Sequence, residues 1–129
     1  MNLGSRRLVL KRTVTGLGLF TLQPIRADKR VIQYLGPIIT TEQVRQSRSK
    51  YLFKLDEQCA IDGRSRSNKA RYINHSCQPN AEAFIYGRRI WICSKRAIPV
   101  EEQITINYGA EYLHAHMQQG CKCAVCGAA

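Results

Sequence analysis

Apolar residues in this chain come in short runs separated by glycine, proline and asparagine. That pattern constrains the fold most, because a run of about five residues is long enough for one strand and too short for an ordinary helix. Strands are predicted at residues 7–11, 18–21, 31–35, 51–55 and 59–61. Two more, at 81–86 and 90–94, are expected to pair as a hairpin about Tyr86, Gly87 and Arg88, with a last strand at 103–107. Helical signal is sparse. Thr40 and Gln43 have the spacing of a capping box, which opens a polar helix running to about Ser49. Short helical turns are expected at 67–72 and 111–117. The fold class that follows is mainly β with short helices, assembled from small antiparallel sheets.

The chain has 129 residues, without repeats or a linker rich in proline or serine, and is read as one domain. Hydrophobic residues at 44% and charged residues at 22% argue against disorder. No stretch approaches the roughly 18 apolar residues of a membrane span, and residues 1–7 lack the apolar region of a signal peptide. The expectation is an intracellular protein, cytoplasmic or nucleoid-associated, with no membrane partner. Twenty lysines and arginines against nine acids give a formal charge of +11. Residues 1–30 carry Arg6, Arg7, Lys11, Arg12, Arg26, Lys29 and Arg30 against Asp28 alone. Such an excess serves contact with nucleic acid, contact with an acidic surface, or solubility alone.

Six cysteines in a chain without a secretory leader do not read as a disulfide scaffold. Cys121, Cys123 and Cys126 form C-x-C-x-x-C, a spacing that can present three thiolates to one tetrahedral ion. Zinc is the natural candidate, since it favours sulfur and a closed site contributes folding energy. The fourth ligand could be His114, His116, Cys59, Cys77 or Cys93, and spacing does not choose among them. The alternative is a redox pair or unrelated thiols.

Three further features carry chemistry. The segment Arg71-Tyr72-Ile73-Asn74-His75-Ser76-Cys77-Gln78-Pro79-Asn80 is dense in side chains that hydrogen-bond backbone or ligand, although taken alone it is equally a capped turn. Gly16-Leu17-Gly18 is expected as a tight loop that lets a ligand approach the backbone, and it does not continue into a nucleotide-binding motif. Ile104-Thr105-Ile106-Asn107-Tyr108-Gly109 is an apolar strand ending in a tyrosine, whose hydroxyl needs a polar partner if buried.

In this order, from about Leu8 to Cys126, these features resemble the SET domain of protein-lysine methyltransferases. The segment 71–80 matches the family's R-F-x-N-H-S-C-x-P-N with Tyr72 for Phe. Gly16-Leu17-Gly18 matches its G-x-G, Tyr34-Leu35-Gly36 its Y-x-G, residues 102–109 most of its G-E-E-L-T-F-D-Y-G, and the cysteine cluster its post-SET zinc site. The resemblance implies a SET fold with a C-terminal pseudoknot that brings Asn74 and Tyr108 together. It divides the chain into an N-terminal basic segment at 1–7, the SET domain at 8–110 and a post-SET zinc-binding tail at 111–129.

The implied activity is S-adenosyl-L-methionine-dependent methylation of protein lysine. Gly16, Leu17, Gly18, Arg71, Asn74, His75 and Tyr108 would border the cofactor. Tyr108, with Tyr51, would be catalytic, and Tyr34 would either join them or, as the plainer role, pack in the core. Structural zinc (Zn2+) would be held by Cys77, Cys121, Cys123 and Cys126, which leaves Cys59 and Cys93 as ordinary buried thiols. A lysine at pH 7 lies about 3.4 pH units below its pKa, so delivering a neutral amine costs about 4 to 5 kcal/mol unless an apolar channel offsets it.

The chain departs from the family pattern in several places. Its last cysteine spacing is shorter, and Glu101 and Gln103 replace a glycine and an acid, both read as surface changes. Ile106 stands where many members carry the Phe or Tyr that limits methyl number, so room for di- or trimethylation is expected. No pre-SET cysteine cluster is read ahead of the domain, and a small exposed sheet could pair in a homodimer. The partner expected is a basic or chromatin-associated protein, with non-specific DNA contact as an aid to docking. Glu82, Glu101, Glu102 and Glu111 are the acids available to a lysine-rich substrate. The competing reading is a catalytically silent, basic zinc protein that binds nucleic acid or chromatin. The presence of Tyr108, Asn74 and His75 favours the enzyme, and a small-molecule amine or non-histone substrate fits the same chemistry.

Overall fold

A computed structural model describes residues 8–109. Two short apolar runs on either side of a tight turn produce the first hairpin, β1 (Leu8–Thr13) against β2 (Gly16–Thr21), with Thr13 opposite Gly16. Gly16 closes this turn at φ +106°, a conformation with no cost to glycine, and its carbonyl accepts from Thr13 Oγ1 at 2.7 Å. The expected loop at residues 16–18 is therefore strand. Its glycines read as loop formers, but the turn is made by residues 14–15 and β2 begins at Gly16 itself.

Two three-stranded antiparallel sheets follow. In the first, β3 (Arg30–Tyr34) and β8 (Ala81–Tyr86) flank β9 (Arg89–Ser94), and Gly87 at φ +63° forms the β8–β9 turn. In the second, β4 (Ile38–Thr40) and β5 (Leu52–Lys54) flank β6 (Cys59–Asp62). The polar helix α1 (Thr41–Gln46) lies between β4 and β5. Its capping box is complete: Thr40 Oγ1 accepts from Gln43 N, and Gln43 Oε1 accepts from Thr40 N. It ends three residues before the expected Ser49, whose hydroxyl is drawn away to donate to Asp62 Oδ1 at 2.8 Å. A 3₁₀ turn at Lys69–Tyr72 falls within the expected 67–72.

The last sheet joins distant segments. β7 (Asn74–His75) runs parallel to β10 (Thr105–Ile106), pairing Asn74 with Thr105 and His75 with Ile106. This places the motif of residues 71–80 beside the tyrosine of the last strand, the juxtaposition expected of these two segments. The predicted strand at 103–107 narrows to two ladder residues, with Gln103 forming a separate bridge to Phe20. Leu19, Val31, Ile73, Ile92, Ile98 and Ile104 are buried together as the centre of a core that draws on all these sheets. Among the described residues no helix is long and apolar enough to cross a membrane.

Glu101 occupies a left-handed conformation, φ +73°, in the turn before β10. This is the position where the resembling family carries glycine, so the replacement has a backbone consequence that a surface reading misses. Glu101→Gly removes the Cβ clash, and the gain is partly offset by the freer unfolded chain. The variant is expected to be more stable by about 0.5 to 1 kcal/mol, measured by urea unfolding.

Candidate active site

Asn74 is the junction of the site. Its Nδ2 donates to Leu17 O at 3.0 Å and to Gln103 Oε1 at 2.6 Å, which ties β2, β7 and the approach to β10 at one point. Gly18 is part of that junction, because a Cβ there would lie 2.5 Å from Gln103 Oε1 and 2.9 Å from Thr13 Cγ2. The missing side chain makes room for Gln103. Gln103 is thereby corrected from a surface change to a contact of the site.

One residue on, His75 holds Tyr108. The Tyr108 N–H donates to His75 Nδ1 at 3.0 Å, the Tyr108 hydroxyl donates to Ile73 O at 2.6 Å, and the two rings lie 5.3 Å apart. Since a backbone N–H only donates, Nδ1 is the unprotonated nitrogen of a neutral ring. Burial pushes the His75 pKa down and favours the same neutral form. His75 Nε2 then faces Cys77 Sγ at 3.4 Å, and Cys77 itself is exposed. Ser76 N donates to Ile106 O at 2.9 Å and extends the parallel pairing.

A second group stands on the 3₁₀ turn. The Arg71 guanidinium lies 4.3 Å from the centre of the Tyr51 ring and 5.0 Å from that of Tyr72. A hydrogen bond with Tyr51 raises the Arg71 pKa further, so the charge is permanent. Arg71 Nε is buried with no hydrogen-bond partner among the described residues, a donor left over in an otherwise satisfied site. Tyr34 packs in the core at 7% exposure, as expected, and donates its hydroxyl to Tyr51 O at 2.7 Å. The structure thus brings Leu17, Gly18, Asn74, His75 and Tyr108 into one constellation. It places Tyr51 with Arg71 in a second, joined to the first through residues 71–73.

Asn80, at the end of the motif, does more than the sequence suggested. Buried at 2% exposure, it donates to Glu102 Oε2 and Gln103 O, both at 2.7 Å, and accepts from Thr105 N at 2.9 Å. Glu102 also pairs with Arg96 at 2.8 Å, so it is committed to the fold and is not an acid available to a substrate. Only the identity of Asn80 as the motif's last residue could have signalled this. Cys59 and Cys93 are half-buried rather than buried. Cys59 Sγ donates to Asp56 Oδ1 at 3.4 Å and accepts from Arg88 Nη2 at 3.7 Å, because the turn between β5 and β6 leaves it at the surface. Cys121, Cys123 and Cys126, with His114, His116, Glu111 and the expected helical turn at 111–117, lie outside the described residues. Among the described residues no group of three or more metal-ligating side chains is gathered.

The sequence matches the SET domain over residues 16–109. It is 37% identical over 111 residues to histone-lysine N-methyltransferase SETD1 of Drosophila melanogaster, covering 76% of this chain and 7% of that protein. Against histone-lysine N-methyltransferase SETD1A of Homo sapiens it is 39% identical over 104 residues, 70% of this chain and 6% of that protein. A histone-lysine N-methyltransferase of Yarrowia lipolytica described as H3 lysine-4 specific is 32% identical over 123 residues, 85% of this chain and 10% of that protein. The chain therefore spans a tenth or less of the length of these relatives.

Proposed function

The chain belongs to the SET-domain family, and from that premise we propose that it is an S-adenosylmethionine-dependent protein-lysine N-methyltransferase. The observation that carries the reading is the double anchoring of Tyr108, through its N–H on His75 and its hydroxyl on Ile73 O, beside Asn74. A hydroxyl that donates to a carbonyl turns its oxygen outward as an acceptor, the role needed to orient the N–H of a neutral lysine amine. Tyr51, stacked on Arg71, is the second group proposed to line the lysine channel. Its apolar ring limits water around the incoming amine and so favours loss of the lysine proton.

The residues present suit the cofactor. S-adenosylmethionine, when bound, supplies an electrophilic methyl on a sulfonium. Arg71 offers a permanent positive charge to its carboxylate, and residues 16–18, Asn74 and His75 are proposed to border the cofactor as well. Zinc is proposed on Cys77, Cys121, Cys123 and Cys126, four thiolates that leave no open position, so its role is structural. The relatives are named as histone-lysine methyltransferases, and this supports a chromatin-associated protein as substrate.

Two results are expected. In calorimetry S-adenosylmethionine binds the full chain, and Arg71→Ala weakens that binding by about 10-fold or more, the worth of one hydrogen bond to a charged group. Mass spectrometry of a methylated substrate shows di- or trimethyl-lysine, because Ile106, buried beside His75, is smaller than an aromatic ring. Monomethyl product alone at saturating cofactor would defeat the second expectation. Failure of the cofactor to bind, with DNA affinity that falls steeply with salt, would replace the enzyme by a basic binding protein.

A further inference from the structure

Positive charge gathers beside Tyr51. Gly63 N donates to Tyr51 O at 2.9 Å, and Ser49 Oγ donates to Asp62 Oδ1 at 2.8 Å. These bonds hold residues 49–51 against 62–63, and Arg48, Lys50, Arg64, Arg66 and Lys69, all exposed, lie within a few chain positions of that junction, so their charges form a rim near Tyr51. The acid within the rim, Asp62, is buried and already committed to Ser49 and to Arg64 Nε at 2.9 Å. The other acids of this sheet, Asp56 and Glu57, sit at the far end of the β5–β6 hairpin, where Glu57 pairs with Lys54. Glu102 is held by Arg96 and Asn80.

A cationic cluster is ordinarily a solvated face. This one adjoins the residue proposed to line the lysine channel, so the charges it meets are those a few positions from the target lysine on the same substrate. Lysines and arginines there would be repelled, whereas aspartates and glutamates would be held by several exposed cations at once. The same positive rim disfavours a charged ammonium at the channel mouth and favours the neutral amine that methyl transfer needs.

We propose that this rim selects substrates whose target lysine is flanked by acidic residues. The inference rests on the methyltransferase reading and narrows its substrate. Nucleic acid is the other polyanion the rim could meet, but the position beside Tyr51 favours a group covalently close to the lysine.

The test compares three peptides with one central lysine, flanked by Asp and Glu, by Ser and Gln, or by Arg and modified, unreactive lysine. Each is assayed with the full chain at saturating S-adenosylmethionine, alongside anisotropy with a short DNA duplex. The acid-flanked peptide is expected to exceed the neutral one in kcat/KM by about 5-fold or more, as a few exposed ion pairs allow. That ratio should fall to within about 2-fold in high salt and in an R66E/K69E double variant, which changes two exposed side chains. The neutral peptide's rate reports whether the variant is still folded and active. Equal or faster transfer to the basic-flanked peptide overturns the inference. So does a double variant that loses DNA affinity while keeping its flank preference. Absence of transfer to all three peptides removes the methyltransferase reading itself, a failure distinct from transfer without preference.

Discussion

Tyr108→Phe is expected to lower methyl transfer by about 100-fold or more while leaving the chain folded and able to bind S-adenosylmethionine. The phenylalanine ring keeps the contact with His75, and the backbone N–H still donates to Nδ1, so the tyrosine's placement survives the substitution. What disappears is the hydroxyl, and with it the bond to Ile73 O and the oxygen that would orient the lysine amine. The structural loss is one hydrogen bond, about 1 kcal/mol. The kinetic loss is larger, about 2.7 kcal/mol for 100-fold, because an amine free to rotate is rarely aligned for displacement. The measurement is kcat at saturating cofactor and peptide, with cofactor affinity by calorimetry and stability by denaturation. A variant that keeps kcat within about 3-fold of the parent would remove Tyr108 from the chemistry.

The strands legible in the sequence are those whose patterning is local. Residues 81–86 and 90–94 alternate about a glycine turn, and the structure pairs them as β8 and β9 with one residue's difference at the start of β9. The capping box was legible for the same reason, since four consecutive residues suffice to write it. β7 was not, because Asn74 and His75 are polar and their pairing depends on Thr105 and Ile106, supplied by a distant segment. β4 was missed for its shortness. The site was legible as a set of motifs, yet its internal wiring was not. Gln103 and Glu102 looked like surface residues because nothing near them in sequence shows that Asn74 and Asn80 will meet them across the fold. Gly18 misled in the opposite direction. It leaves space for a side chain from another segment, and no local rule separates that from a tight loop.

Gly36→Ala tests such a space where it matters most for stability, and is expected to cost about 3 kcal/mol or more. The glycine has an ordinary φ, so the cost is steric alone. Its added Cβ would meet the Asp62 carbonyl oxygen and lie 2.7 Å from the Asp62 carbonyl carbon. These are backbone atoms of the central strand β6, where the Asp62 N–H already donates to Pro37 O at 3.0 Å and the side chain holds Ser49 and Arg64. Relief would require β6 to move away from residues 36–37, and Gly63, the next residue, carries the bond to Tyr51 O. Loss of stability should therefore come with loss of activity under conditions where the variant remains folded. Gly87→Ala is the control. Gly87 has φ +63° and nothing within 4 Å of an added Cβ, so it carries only the conformational penalty of about 1 kcal/mol. Thermal and urea unfolding of the two variants should separate them, with the Gly36 variant melting about 10 °C or more below the parent and the Gly87 variant only a few degrees below. If Gly36→Ala proves no more costly than Gly87→Ala, the close approach of β6 to residues 36–37, and with it the support of Tyr51, is wrong.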